Sequence, residues 1–247
     1  MIRVIFLDLD GTLLGSDYSP EGARPVIGEL LRRGYEVVVN TSKTRFEVEY
    51  YLKAWDLEKP FVVENGSAVY VPVNYLPPKV VGEFGVKRGK YRVIELGKPY
   101  PEIKRALDGL SQEYGLKYYG NSSLEEVITF SGLPEGLAKL AMKREYSETI
   151  FRWEKEGFEA ELEKMGLKVS RGTRFLNVTG NTDKGKGARA LLELYSLLGE
   201  VESYALGDGE NDFPLFEVVD NAFIVGSLSH PKAKHISSIE ELLEVIP

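Results

Sequence analysis

Residues 2 to 7 are almost wholly apolar (Ile2, Val4, Ile5, Phe6, Leu7), and the run stops at two carboxylates, Asp8 and Asp10. A continuous apolar stretch of this length predicts a strand covered on both faces, as in a parallel sheet. Ala23, Val26, Ile27, Leu30 and Leu31 then recur at helical spacing, with Ser19-Pro20 read as N-cap and first helical position and Gly34 as the stop. A second apolar strand over 35–39 completes a strand–helix–strand unit, which is right-handed and parallel. A helix over 44–54 and a short strand over 61–63 follow. Asn65-Gly66 between apolar runs predicts a hairpin into a strand over 68–71.

Pro72, Pro77 and Pro78, with Gly82 and Gly85, interrupt that pattern and mark a domain boundary. Beyond it strands (91–96, 116–119, 149–153, 167–170, 174–178) are mixed with helices (101–114, 124–130, 135–143, 155–165), an α+β unit of its own. From Asp183 the first pattern resumes. Ala188, Leu191, Leu192, Tyr195 and Leu198 mark a helix, 201–206 a strand, and a helix from 211, a strand over 222–225 and a helix from 239 close the chain. The expected organisation is core (1–82), insert (83–178), core (179–247). The fold class is α/β: a Rossmann-like parallel-sheet core with an inserted α+β cap.

Composition narrows the function. No run of apolar residues is long enough to span a membrane, and the N-terminal run turns acidic too soon for a signal peptide. The chain has no cysteine, which excludes disulfides and thiolate chemistry and points to the cytosol. A net charge of −7 argues against nucleic acid as a partner, and the lack of a long apolar run against a membrane. That charge is uneven: residues 84–178 carry +3 and the remainder −10. A mildly basic insert on an acidic frame suits an anionic small molecule held between them. Monomer and homo-oligomer both stay open.

Three core strands end in polar residues. The first ends in Asp8 and Asp10, the second in Asn40-Thr41-Ser42-Lys43, and the one at Leu206 in Gly207-Asp208-Gly209-Glu210-Asn211-Asp212. In a parallel sheet these ends open into one crevice. Lys184, at the head of the resumed helix, can enter it. Asp8 and Asp208 with a backbone carbonyl make a hard oxygen site suited to Mg²⁺. Ser42 and the helix start after it can hold phosphate oxygens, and Lys184 adds a cation. One aspartate can attack phosphorus while the second moves a proton. Two familiar glycine motifs fail: Gly187 stands where a P-loop needs Ser or Thr, and Asp212 where a dinucleotide fingerprint needs glycine.

DLDGT at 8–12, Thr41 after its strand, Lys184 before its helix and GDGEND at 207–212 match, in order, the four motifs of the haloacid dehalogenase superfamily of phosphohydrolases, which the chain resembles. The resemblance implies Asp8 as nucleophile and Asp10 as acid/base, with Asp8, the Asp10 carbonyl and Asp208 on Mg²⁺. It implies Thr41, Ser42 and Lys184 as phosphate holders, and Asn211 and Asp212 as orienting residues. The insert is similar to the larger α/β cap of the sugar-phosphatase branch, whose closure excludes water. VVNTSKTR at 38–45, ENGSAVYVP at 64–72, REYSET at 144–149 and RGTRF at 171–175 resemble the family acting on mannosyl-3-phosphoglycerate. A phosphorylated sugar-glycerate substrate is implied, with Asn65, Arg144, Glu145, Ser147, Glu148 and Arg174 as its candidate contacts. Rival readings are another sugar-phosphate or phosphoglycolate phosphatase, a phosphomutase, and a silent sugar-phosphate binder.

Overall fold

In the structure, a computed structural model describing residues 1–77, 80, 84–172 and 174–247, the N-terminal apolar run forms β1 (Ile2–Leu7). In chain order come β2 (Tyr35–Asn40), β3 (Phe61–Val63), β4 (Ala68–Pro72), β5 (Val86–Arg88), β6 (Tyr91–Glu95) and β7 (Lys117–Tyr118). They are followed by β8 (Ser147–Arg152), β9 (Lys168–Arg171), β10 (Leu176–Thr179), β11 (Val201–Gly207), β12 (Asn221–Ile224) and β13 (Ala233–His235).

Nine of these make one sheet in the order β13-β12-β11-β1-β2-β3-β4-β6-β5. The strands from β13 to β3 run parallel, while β4, β6 and β5 are antiparallel. Alternation along β1 divides the core into two layers. Ile5 and Leu7 pack with Val26, Leu30, Val48 and Leu242 from the helices Arg24–Arg32, Arg45–Ala54 and Ile239–Val245. Val4 and Phe6 face Ala188, Leu191 and Leu215 from the helices Lys184–Ser196 and Phe213–Phe216. Side chains of a strand alternate between faces, so a continuous apolar run is what a sheet with helices on both sides requires. From β1 the chain moves outward to β2 and β3, and from β11 outward the other way to β12 and β13. The order therefore reverses between β1 and β11, where open α/β sheets bind ligands.

A second, four-stranded antiparallel sheet, β7-β8-β10-β9, carries the helices Tyr100–Tyr114 and Phe158–Lys164 on one face. The helices Leu124–Ser131 and Glu135–Ala141 pack instead into the core layer that contains Val48 and Tyr51.

Two sequence expectations change. The strand over 91–96, read as part of the insert, pairs with β4 (Val69↔Ile94, Tyr70↔Val93) and widens the large sheet. The expected boundary between 82 and 83 lies outside the described residues. The first helix begins at Arg24, not at Ser19-Pro20. Ser19 spends its hydroxyl on the Glu21 N–H and its own N–H on Asp17, a local turn that competes with helix. Pro25 then takes the first helical turn. No helix among the described residues is long and apolar enough to cross a membrane.

Candidate active site

Asp8 follows β1, and its N–H donates to the Leu206 carbonyl of β11, which fixes the two strand tips side by side. Gly11, at φ +73°, turns the chain across the neighbouring tip; a Cβ there would lie 2.2 Å from Asp208 Oδ2. Lys184 comes from the opposite layer. Its Nζ is 2.9 Å from Asp8 Oδ2 and 2.6 Å from Asp212 Oδ1, with the side chain wholly buried. The remaining oxygen of Asp212 accepts the N–H groups of Asp208 and Gly209, 3.1 Å each. Carboxylate oxygens of Asp8, Asp208 and Asp212 lie within 4.8 Å of one another.

This crowding shifts the acids. Burial pushes Asp8 up to about 7, against the pull of Lys184, and Asp212 and Asp208 raise it further. Burial also raises Asp208 to about 6, with Asp212 adding to it. Burial works against the charge of Lys184, but Asp212 and Asp8 outweigh it and hold the ammonium above the usual lysine range. With both oxygens of Asp212 committed, Asp8 and Asp208 are the carboxylates left that fit a divalent ion with hard oxygen preference, and the glycine at position 11 leaves the Asp208 oxygens uncovered on that side.

The second tip is built by the turn into the helix Arg45–Ala54. Thr44 and Glu47 form a capping box there. Thr41 is buried and its Oγ1 accepts the Lys43 N–H. Lys43, which the sequence reading passed over, is buried as well, with Nζ 2.8 Å from Asp10 Oδ2 and 3.4 Å from Glu47 Oε1. Asp10 thus engages Lys43, while Asp8, Asp208 and Asp212 make the acidic cluster. Asp10 Oδ1 is buried without a hydrogen-bond partner. Asn65, on the β3–β4 turn, accepts from Asn211 Nδ2 at 3.2 Å and so touches the Asp208 loop.

A cavity of about 540 Å³ lies over these tips. Asp8, Asp10, Ser42, Asp208 and Asn211 line its core side, and Arg144, Arg174, Tyr119, Thr149, Phe175 and Asn177 its insert side. Thr41, Asn65, Lys184 and Asp212 stand behind that lining. Of the six candidate substrate contacts, only Arg144 and Arg174 reach it. Glu145 is held by Arg45 and by the Tyr70 hydroxyl. Glu148 is buried, accepting from Tyr100 Oη and the N–H groups of Gly120 and Thr149. Ser147 donates to Glu64 Oε2 at 2.6 Å. Glu64, another residue the sequence reading missed, also accepts the N–H groups of Glu145 and Tyr146, and burial pushes its carboxyl up. Arg144 donates to the Ser42 carbonyl at 2.9 Å, tying the insert to the second tip.

A family model for haloacid dehalogenase-like hydrolases matches residues 5–80 and 137–240, leaving out much of the insert. The chain belongs to the haloacid dehalogenase-like hydrolase family. It is 56% identical over 246 residues, covering the whole of both chains, to the mannosyl-3-phosphoglycerate phosphatase of Pyrococcus furiosus. The Pyrococcus horikoshii protein of the same name is 54% identical over the same span. A glucosyl-3-phosphoglycerate/mannosyl-3-phosphoglycerate phosphatase of Methanococcoides burtonii is 36% identical, across 97% of this chain and 89% of its own. The fold is shared with a haloacid dehalogenase-like hydrolase of Bacteroides thetaiotaomicron (TM-score 0.68, 18% identity, 98% of this chain and 96% of the other).

Proposed function

We propose that this chain is a Mg²⁺-dependent phosphomonoesterase that converts mannosyl-3-phosphoglycerate to mannosylglycerate and inorganic phosphate. The observation that carries the reaction is Asp8 held 2.9 Å from Lys184 at the point where the strand order reverses, beside Asp208. The observation that supports the substrate is identity above half, over the full length, to phosphatases named for that ester.

In this reading Asp8 attacks phosphorus and becomes an aspartyl phosphate. The sugar-glycerate oxygen leaves with a proton from Asp10. Asp10 then takes a proton from water, which attacks the aspartyl phosphate and frees Asp8. Lys184 neutralises charge on Asp8 and on the phosphoryl oxygens. Ser42, which lines the cavity, receives the phosphate together with Lys184, while Thr41 stands behind it. Asp8, Asp208 and the Asp10 carbonyl would hold Mg²⁺, oriented by Asn211 and by Asp212, whose oxygens are already committed to Lys184 and to two backbone N–H groups. The ion would offset the repulsion between an anionic nucleophile and an anionic ester. Arg144 and Arg174, on the insert side of the cavity, meet the anionic sugar-glycerate.

Phosphate release across mannosyl-3-phosphoglycerate, glucosyl-3-phosphoglycerate, sucrose phosphate and phosphoglycolate tests this. Fastest turnover of the mannosyl ester, abolished by EDTA, is expected. Faster turnover of sucrose phosphate or phosphoglycolate, or activity that survives exhaustive chelation, overturns it.

A further inference from the structure

Lys43 is a buried cation on the wrong side of the site for phosphate. Phosphorus must lie against Asp8, near Lys184. The Lys43 ammonium lies instead against Asp10 Oδ2, 2.8 Å away. In the functional reading above, on which this inference rests, Asp10 serves the leaving oxygen. To pass a proton it must come within about 3 Å of that oxygen. The Lys43 ammonium then stands within about 6 Å of the leaving oxygen, among the atoms of the departing alcohol.

Its setting is built and rigid. Lys43 N–H is held by Thr41 Oγ1 and its carbonyl receives the Glu64 N–H at 3.1 Å. Its side chain is fixed from behind by Glu47, which is itself locked into the capping box with Thr44. An ammonium has three donors. Asp10 and Glu47 take two, and Lys43 nevertheless lines the cavity. The next wall residue, Arg144, is bonded to the carbonyl of Ser42 and adds positive charge on the same side. Asp10 and Glu47 already compensate the buried charge, so what remains for a ligand is the third donor, and a cation that lines the cavity beside the acid favours an anion on the alcohol fragment over a neutral hydroxyl.

We propose that Lys43 is the specificity-determining residue that reads the carboxylate of the glycerate moiety. In such an ester the carboxylate is separated from the leaving oxygen by two carbons, a reach that matches an ammonium one ion pair removed from the acid. Lys43 therefore distinguishes carboxylated phosphate esters from neutral ones, while Lys184 serves the phosphoryl group common to both.

The test compares kcat/KM for mannosyl-3-phosphoglycerate and for its primary carboxamide, in the full-length protein, with thermal melting to confirm the fold. Wild type is expected to prefer the carboxylate by about tenfold or more, the scale of a charge-assisted hydrogen bond. In Lys43→Gln that preference should collapse to within about threefold. A role confined to positioning Asp10 would slow both esters equally and leave the preference intact, and that result overturns the proposal. Should Lys43→Gln fail to fold, Lys43→Arg decides: a preference altered several-fold supports it, an unaltered one overturns it. A wild type that ignores the difference between carboxylate and carboxamide removes this inference alone. A wild type that releases no phosphate from the mannosyl ester removes the functional reading beneath it.

Discussion

Asp8 is 5% exposed, and a buried carboxylate favours its proton. The nucleophilic role proposed for Asp8 requires shedding it, and the nearby lysine only partly offsets burial, leaving Asp8 at about 7 and Asp208 at about 6. A divalent cation favours the charged forms, so binding should drive protons off. Adding Mg²⁺ to the metal-free protein at pH 6.5 is expected to release about one proton, read in weak buffer with an indicator dye. No release would contradict the metal reading. Asp8→Asn should lower phosphate release by about a thousandfold or more while the protein still melts cooperatively. Lys184→Met removes a cation wedged between Asp8 and Asp212, and leaving them uncompensated should cost about 3 kcal/mol of unfolding free energy in urea titration. Asp8 and Asp208 were legible in the sequence because each sits at the end of an apolar run, where a charged group has no structural excuse, and Lys184 because it heads the helix on which the core pattern resumes. Lys43 and Glu64 were not. Lys43 follows the same kind of strand end, two residues past Thr41, but its partner Asp10 is 33 positions earlier and nothing local pairs them.

At the scale of elements, the site depends on how closely the helix Lys184–Ser196 approaches the turn between β3 and β4. Gly66, at φ +79°, lies flat on the Asp183 carbonyl, and a Cβ there would fall 1.8 Å from that oxygen. Gly187 meets the same turn from the helix side, where a Cβ would be 2.4 Å from Val62 Cγ1. The two glycines let Lys184 reach Asp8. Gly66→Ala combines backbone strain with a clash against main chain and should cost about 2 to 4 kcal/mol, measured by chemical denaturation. Its activity should fall further than its stability explains, because Lys184 is displaced. Asn65-Gly66 was read from the sequence as a hairpin, and it is one. The contact with Asp183 was invisible because it joins residues 117 positions apart. The misplaced start of the first helix has a simpler cause: Ser19-Pro20 and Ala23-Pro25 offer competing starts, and the Ser19 hydroxyl settles the choice by closing a turn on Glu21.

For the molecule as a whole, alternation and apolar runs located the parallel core and the second sheet. They did not reveal that residues 86–95 extend the first sheet, since a short amphipathic strand carries no mark of which edge it joins. Glu64 and Asn65 occupy one left-handed turn, at φ 50° and 54°. The first grips residues 145–147 of the insert; the second grips Asn211 beside Asp208. Glu64→Gln keeps the size of the side chain but gives up an acceptor, and is expected to weaken Mg²⁺ affinity about threefold to tenfold by titration, though Glu64 touches none of the acidic cluster. Unchanged affinity would sever the link. The turn thus has one arm in each half of the protein: Glu64 on the insert and Asn65 on the loop that carries Asp208, a single peptide bond apart. The expected consequence, which the Glu64→Gln titration checks, is that whatever loosens the insert also slackens the proposed ion site.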